Sequence, residues 1–338
     1  MSWKTTLYDY VHSRNQMDID YSVEPLLPVV KDEAYLKTQA KRLARREETD
    51  RLRRLTPVKN ETRLTIASVI ERNGRMIAEI QLKRNIVGQI NYQPHEEQRI
   101  ERERVTLSPS DAGYIIEAIE PVETEEALRI RAAQPGGLME ADDTFAAVGL
   151  MRAPSVPFLN YSVLPQIQYA RVSYNRAEAV QYADQWWDKS NPSYINFEVN
   201  CSSYVSQCLF AGGAPMNYTG KRNAGWWYKG REKGQELWSF SWAVADSLQF
   251  YLLTSRSGLR ATEVPEAWQL DIGDVISYDW DGDGRFQHST IVTAKDANGM
   301  PLVNANTVSS KHRYWSYTDS PAYTERTRYR LLHIPDTL

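Results

Sequence analysis

Nine of the ten tryptophans in this chain lie between Trp186 and Trp315. Large aromatic rings need a core or a groove to bury them. A chain with this asymmetry therefore reads as two parts built on different principles, and a length of 338 residues suits two domains. Between the parts lie Pro121, Pro135-Gly136-Gly137, Pro154, Pro157 and Pro165. Such a composition reads as a linker with a short helix near 124–132. The expected division is 1–120, a linker over 121–168, and 169–338.

The first part reads as a helix followed by strands. Residues 1–30 form a helix or an irregular lead-in that ends at Pro25 and Pro28. Over 31–55, Tyr35, Leu36, Ala40, Leu43, Ala44, Leu52 and Leu55 recur at roughly helical spacing. Asp32 and Glu33 open this stretch and Arg51, Arg53 and Arg54 close it, as a helix dipole favours. The many charges predict a solvated helix with a narrow apolar stripe. Asn73-Gly74 between Thr62–Ile70 and Met76–Leu82 is a strong hairpin signal. Further strands fit Val87–Tyr92, Glu101–Leu107 and Tyr114–Ile119. The sum is a small α+β domain with a helix on an antiparallel sheet. It shows no chemistry of its own, and His95 is expected to be lone and exposed.

A formal net charge of -3 gives no reason to expect a nucleic-acid partner. The start, Met1-Ser2-Trp3-Lys4, leads into polar residues with no apolar signal-peptide core. No apolar run reaches the ~18 residues of a membrane span. A cytoplasmic location is the resulting expectation.

The second part opens with a helix signal. Asn175 and Glu178 fit a capping box, with Ala177, Val180, Ala183 and Trp187 on one face. Asn191-Pro192 breaks the chain. Asn200-Cys201-Ser202 then begins a second helix that Gly212-Gly213 ends, with Asn200 as its N-cap. Cys201 falls in the first turn, where the dipole and unpaired N–H groups lower a thiol pKa and can hold an oxyanion. Asn200 and Ser202 stand beside that site. Cys208 lies on the apolar stripe as a small hydrophobe. Two helical turns separate it from Cys201, about 10 Å along the axis, which is too far for a disulfide.

A base for the thiol comes from His288, one of five histidines, at the head of the alternating stretch Gln287–Thr293. Strands at Gly273–Tyr278 and Pro301–Asn306 flank it. A Cys at a helix start facing a His on a sheet is a papain-type arrangement, completed by a polar residue that orients the imidazole. Asn306 is the candidate orienter. A five-residue connection over 295–299 sets it opposite His288, whereas a two-residue Asn298-Gly299 turn sets it on the other face. Asp279-Trp280-Asp281-Gly282-Asp283-Gly284 looks like half of a calcium loop. Its twelfth position is Thr290 and not an acid, so it reads as the hairpin turn that delivers His288, and no metal is expected. Trp226, Trp227 and Trp242 are candidates to line a substrate cleft.

These residues resemble the bacterial amidase-domain family Amidase_6, a relative of the NlpC/P60 and CHAP papain-like cysteine peptidases. The resemblance rests on Tyr174-Asn175-Arg176, Asn200-Cys201 with Val205-Ser206-Gln207, Gly212-Gly213, Gly225-Trp226, Ser241-Trp242, Gly273-Asp274-Val275 and His288-Ser289. It covers the second part and none of the first. Where the family often has His-Thr after the catalytic His, this chain reads Asn306-Thr307. The resemblance implies an α+β, papain-like (NlpC/P60-like) domain with a helix packed on an antiparallel sheet. It also implies a Cys–His–polar triad that hydrolyses amide or peptide bonds, with peptidoglycan stem peptides among the expected substrates and no cofactor. Two other readings accompany it: an inactive papain-like module that binds peptide or glycan in its aromatic cleft, and an acyltransferase using the same Cys/His pair.

Overall fold

A computed structural model describes residues 2–111, 113–122, 124–127, 172–232 and 234–338. Nearly all of the linker, including the Pro135-Gly136-Gly137 segment, lies outside the described residues. The helices are α1 (Trp3–Asp20), α2 (Glu33–Arg53), α3 (Arg176–Trp186), α4 (Cys201–Ala211), α5 (Phe240–Ala243) and α6 (Ala245–Thr254). The strands are β1 (Leu55–Arg72), β2 (Arg75–Ile90), β3 (Gln93–Ser110), β4 (Gly113–Pro121), β5 (Tyr228–Glu232), β6 (Gln235–Trp238), β7 (Thr262–Glu263), β8 (Val275–Asp279), β9 (His288–Lys295), β10 (Pro301–Ala305), β11 (Ser310–Tyr314) and β12 (Arg328–His333). The class is α+β with a large antiparallel sheet. No described helix is long and apolar enough to cross a membrane.

Two compact units divide the chain. The first holds 1–126 together with 294–304 and 308–323; the second holds the described residues of 127–293 with 305–307 and 324–338. In the first unit, β1 and β2 run antiparallel through a turn in which Asn73 and Gly74 have φ of 53° and 74°. That is the left-handed pair an Asn-Gly hairpin turn demands. The strands are longer than their sequence patterns. Extra residues at Val58 and Ala67 break the β1 register as bulges, and bulges bend and twist long strands. A second hairpin turn at Asn91-Tyr92, φ 51° and 63°, joins β2 to β3.

The first unit's core takes Leu7, Tyr10 and Met17 from α1, Leu43 from α2, and Ala78, Ile80, Leu82, Val105 and Leu107 from the sheet. Beside this core lies a buried ion-pair network, so α2 is not the solvated helix its charges suggest. Arg42, Arg46, Asp50 and Arg53 are all buried. Asp18 meets Arg42 and Arg84, with Arg46 at 3.6 Å. Burial alone would raise the Asp18 pKa, yet these guanidinium groups hold it well below the usual carboxylate range. Arg14 pairs with Glu101 at 2.5 Å and with Glu103. Two clefts, of about 480 and 670 Å³, are lined by residues of this unit. His95 lines the smaller cleft and is buried rather than exposed. Burial, and then the charge of Arg53, lower its pKa to about 4.

The second unit sets α3, α4 and α6 with strands in the order β9-β8-β12-β7. Its expected opening is observed: Asn175 caps α3, accepting the Glu178 N–H at 3.2 Å. Tyr174 donates to the Gly273 carbonyl at 2.8 Å. Arg176 reaches the Ile272 carbonyl at 2.9 Å and buried Asp274 at 2.8 Å. Asp274 also accepts from the Ile334 N–H, the Asp271 N–H and His333 Nδ1 at 2.7–2.9 Å. The Tyr-Asn-Arg and Gly-Asp motifs thus form one clamp.

Candidate active site

Cys201 is the first residue of α4 and is 2% exposed. Both cysteines are free, as their separation along the helix requires. The buried first turn sits against the start of β9, where Ser202 Oγ donates to Ser289 Oγ at 3.2 Å. Ser202 Oγ lies 3.8 Å from the Cys201 sulfur. The backbone of Ser289, Ser202 and Cys201 itself and the Ser202 hydroxyl favour the thiolate. Burial outweighs them: the thiol pKa is raised, not lowered as the helix-start position alone predicts. Burial disfavours charge by more than the helix start and the neighbouring polar groups return.

His288 opens β9 and is 2% exposed. It pairs with Tyr278 across β8. Its ring stacks with Trp280, centroids 5.9 Å apart, and tilts against Tyr278 at 5.4 Å. The loop before it is held closed. Asp279 accepts N–H bonds from Gly282, Asp283 and Gly284, and Gln287 Oε1 accepts from Trp280 N–H at 2.9 Å. The half-calcium motif is thus a hairpin turn fastened on its first Asp. The carboxylates of Asp279, Asp281 and Asp283 lie within 4.8 Å of one another, the one described group with the donor set for a cation. The backbone N–H groups already engage Asp279.

The β9–β10 connection is neither length weighed from the sequence. Asp296 N–H donates to the Met300 carbonyl at 2.8 Å, closing a three-residue turn with Gly299 at φ 78°. An unbroken register counted from this turn sets Asn306 opposite Thr290, on the His288 face. The Asn306 amide donates to the carbonyls of Trp186, Trp187 and Lys189 at 2.9, 3.3 and 3.2 Å. Its Oδ1 accepts from Asn200 Nδ2 at 3.1 Å. The structure therefore joins Asn306 to Asn200 and the end of α3.

Asn200 occupies the N-cap position but makes no side-chain cap bond, and its φ and ψ of -104° and 1° are not those of a cap. Its amide turns to Asn306 instead. Its backbone N–H donates to Thr307 Oγ1 at 2.7 Å. Thr307 has φ 96°, a costly conformation for a β-branched residue. Sequence reasoning passed over Thr307 and Ser289 as site residues; their adjacency to Asn306 and His288 was the available signal.

The tryptophans proposed for a cleft are core. Trp226 and Trp242 are fully buried, Trp227 is 2% exposed, and Trp226 and Trp242 pack with centroids 5.0 Å apart. Ser206 on α4 accepts from Trp226 Nε1 at 2.9 Å and donates to the Trp242 carbonyl at 2.8 Å. Buried rings fastened to α4 through the Trp226 Nε1 and the Trp242 carbonyl support the helix and do not wall an open groove.

An α+β unit with a buried cysteine at a helix start, beside a strand headed by histidine, defines the class to compare. Residues 173–332 match the family described as "Putative amidase domain". The chain is 55% identical over 163 residues to the uncharacterized protein YhbB of Bacillus subtilis (strain 168), covering 48% of this chain and 51% of the relative. The chain thus spans about half the length of the curated relative it matches. Among solved structures, the intermembrane space region of chloroplast protein ARC6 aligns with 35% of this chain and 94% of its own, at 19% identity and a TM-score of 0.26.

Proposed function

We propose that the second unit is a cysteine-dependent amide or peptide hydrolase of papain-like arrangement, with Cys201 as nucleophile and His288 as general base. The observation that carries this reading is the hydrogen bond from Ser202 Oγ to Ser289 Oγ at 3.2 Å, with Ser202 Oγ 3.8 Å from the Cys201 sulfur. It ties the first turn of α4 to the residue next to His288. His288 takes the thiol proton as sulfur attacks the amide carbonyl, because the buried thiol is not ionised beforehand. The C–N bond breaks as His288 returns the proton to the leaving amine. Water then attacks the thioester, giving the acid and the free thiol. Backbone N–H groups of Cys201 and Ser202 are the candidates to hold the oxyanion. Asn306 is a positioning residue that acts through Asn200. Cell-wall stem peptides are the substrates proposed from the family resemblance.

The core position of Trp226, Trp227 and Trp242 counts against the alternative of a module that binds ligands in an aromatic cleft. The test is the rate of Cys201 alkylation in Cys208→Ala protein, with and without His288→Ala. A paired thiol loses most of its reactivity when His288 is removed. A rate indifferent to His288 refutes the pair.

A further inference from the structure

The amide of Asn200 is locked in one orientation. Asn306 faces three carbonyl oxygens, and only an NH₂ group can satisfy them, so its own Oδ1 must point to Asn200. Asn200 can meet that oxygen only with its NH₂ group, and so its Oδ1 is fixed on the other side. Asn200 is 4% exposed, and this Oδ1 has no hydrogen-bond partner among the described residues. A buried amide oxygen left unbonded is costly. An Asn at a helix N-cap normally spends that oxygen on the helix N–H groups, and this one does not. The relay from α3 through Asn306, together with the strained Thr307 that holds the Asn200 N–H, leaves an unspent acceptor on the residue that precedes Cys201.

We propose that Asn200 Oδ1 accepts the N–H of the bound substrate and so makes the site selective for amides over the corresponding esters. This rests on the reading of Cys201 as nucleophile. A buried acceptor discriminates because an ester in the same place leaves it unbonded and adds a second oxygen against it.

The experiment uses the full chain carrying Cys208→Ala and two probes, iodoacetamide and methyl iodoacetate. With either, the Cys201 sulfur forms a C–S bond, iodide leaves, and the thiol proton passes to base. Only iodoacetamide carries N–H. The ratio of the two rates is compared with that of N-acetylcysteine at the same pH. We expect the ratio on wild-type Cys201 to exceed this reference about tenfold, and Asn200→Ala to return it to the reference. A wild-type ratio equal to the reference overturns the proposal without need of the variant. The His288→Ala rates separate the two readings. A reference-like ratio with strong dependence on His288 removes Asn200 alone, while a reference-like ratio with no such dependence removes both.

Discussion

Tyr174 fills the space over Gly212: a β-carbon built on that glycine would stand 2.5 Å from the ring's Cε2 and 3.0 Å from the Asn175 carbonyl oxygen. The ring cannot yield, because its hydroxyl is tied to the Gly273 carbonyl and a β-carbon on Gly273 would meet the same hydroxyl at 2.9 Å. Two glycines far apart in sequence are thus small for one reason. Gly212→Ala should destabilise the protein by about 1–3 kcal/mol through overpacking. Urea unfolding of the variant measures this, and an unchanged midpoint contradicts the wedge.

The raised thiol pKa of Cys201 has a kinetic signature. Burial keeps the sulfur protonated, so alkylation should climb through the free-thiol range near ~8.5 with no plateau below it. Rates measured from pH 6 to 10 in Cys208→Ala protein decide the matter. A plateau below about pH 7 would mean a preformed thiolate and would contradict the dominance of burial.

The buried network of the first unit predicts a sharp cost for losing one partner. Asp18 is fully buried against Arg42 and Arg84. Asp18→Asn takes the carboxylate from Arg42 and leaves Arg84 only its pair with Glu101 at 3.3 Å, and should cost about 3–5 kcal/mol. Thermal unfolding should fall by many degrees, whereas Glu48→Gln, which breaks an exposed pair with Arg51, should change little.

His95 gives the same unit a pH dependence. Its folded pKa of about 4 lies below the unfolded value near ~6.5. Between these values the unfolded chain binds the proton and the folded chain does not. The His95 contribution is therefore complete above the unfolded pKa and is lost as pH falls through the window toward 4, to a limit of about 3 kcal/mol. His95→Gln should flatten that part of the stability profile. An unchanged slope would assign it to the carboxylates.

Much of the helical framework was legible because its signals are local. Asn175 and the Gly212-Gly213 pair mark helix ends wherever the helices pack, and Asn73-Gly74 fixes a turn by its own φ angles. The failures are tertiary. Arg42, Arg46 and Asp50 read as a solvent face because nothing local says that Asp18 will meet the two arginines and Tyr21 the aspartate. The Asn91-Tyr92 turn went unread because a tyrosine at positive φ carries no turn signal. Trp226 and Trp242 look alike as core or cleft until Ser206 is seen to bond both.

Asn306 offers the sharpest separation between two roles for one residue. If it oriented the imidazole, a carboxylate would serve as well, since triads use Asp in that place. If it acts as a donor to the carbonyls of Trp186, Trp187 and Lys189, a carboxylate is the worst replacement, because it sets negative charge against three acceptors. Asn306→Ala should cost about 1–3 kcal/mol for the carbonyls it leaves buried. Asn306→Asp should cost more than Asn306→Ala and slow Cys201 alkylation at least as much. Urea midpoints and alkylation rates of the two variants, each carrying Cys208→Ala, decide between the roles. An Asp variant as stable and reactive as wild type would return Asn306 to the imidazole.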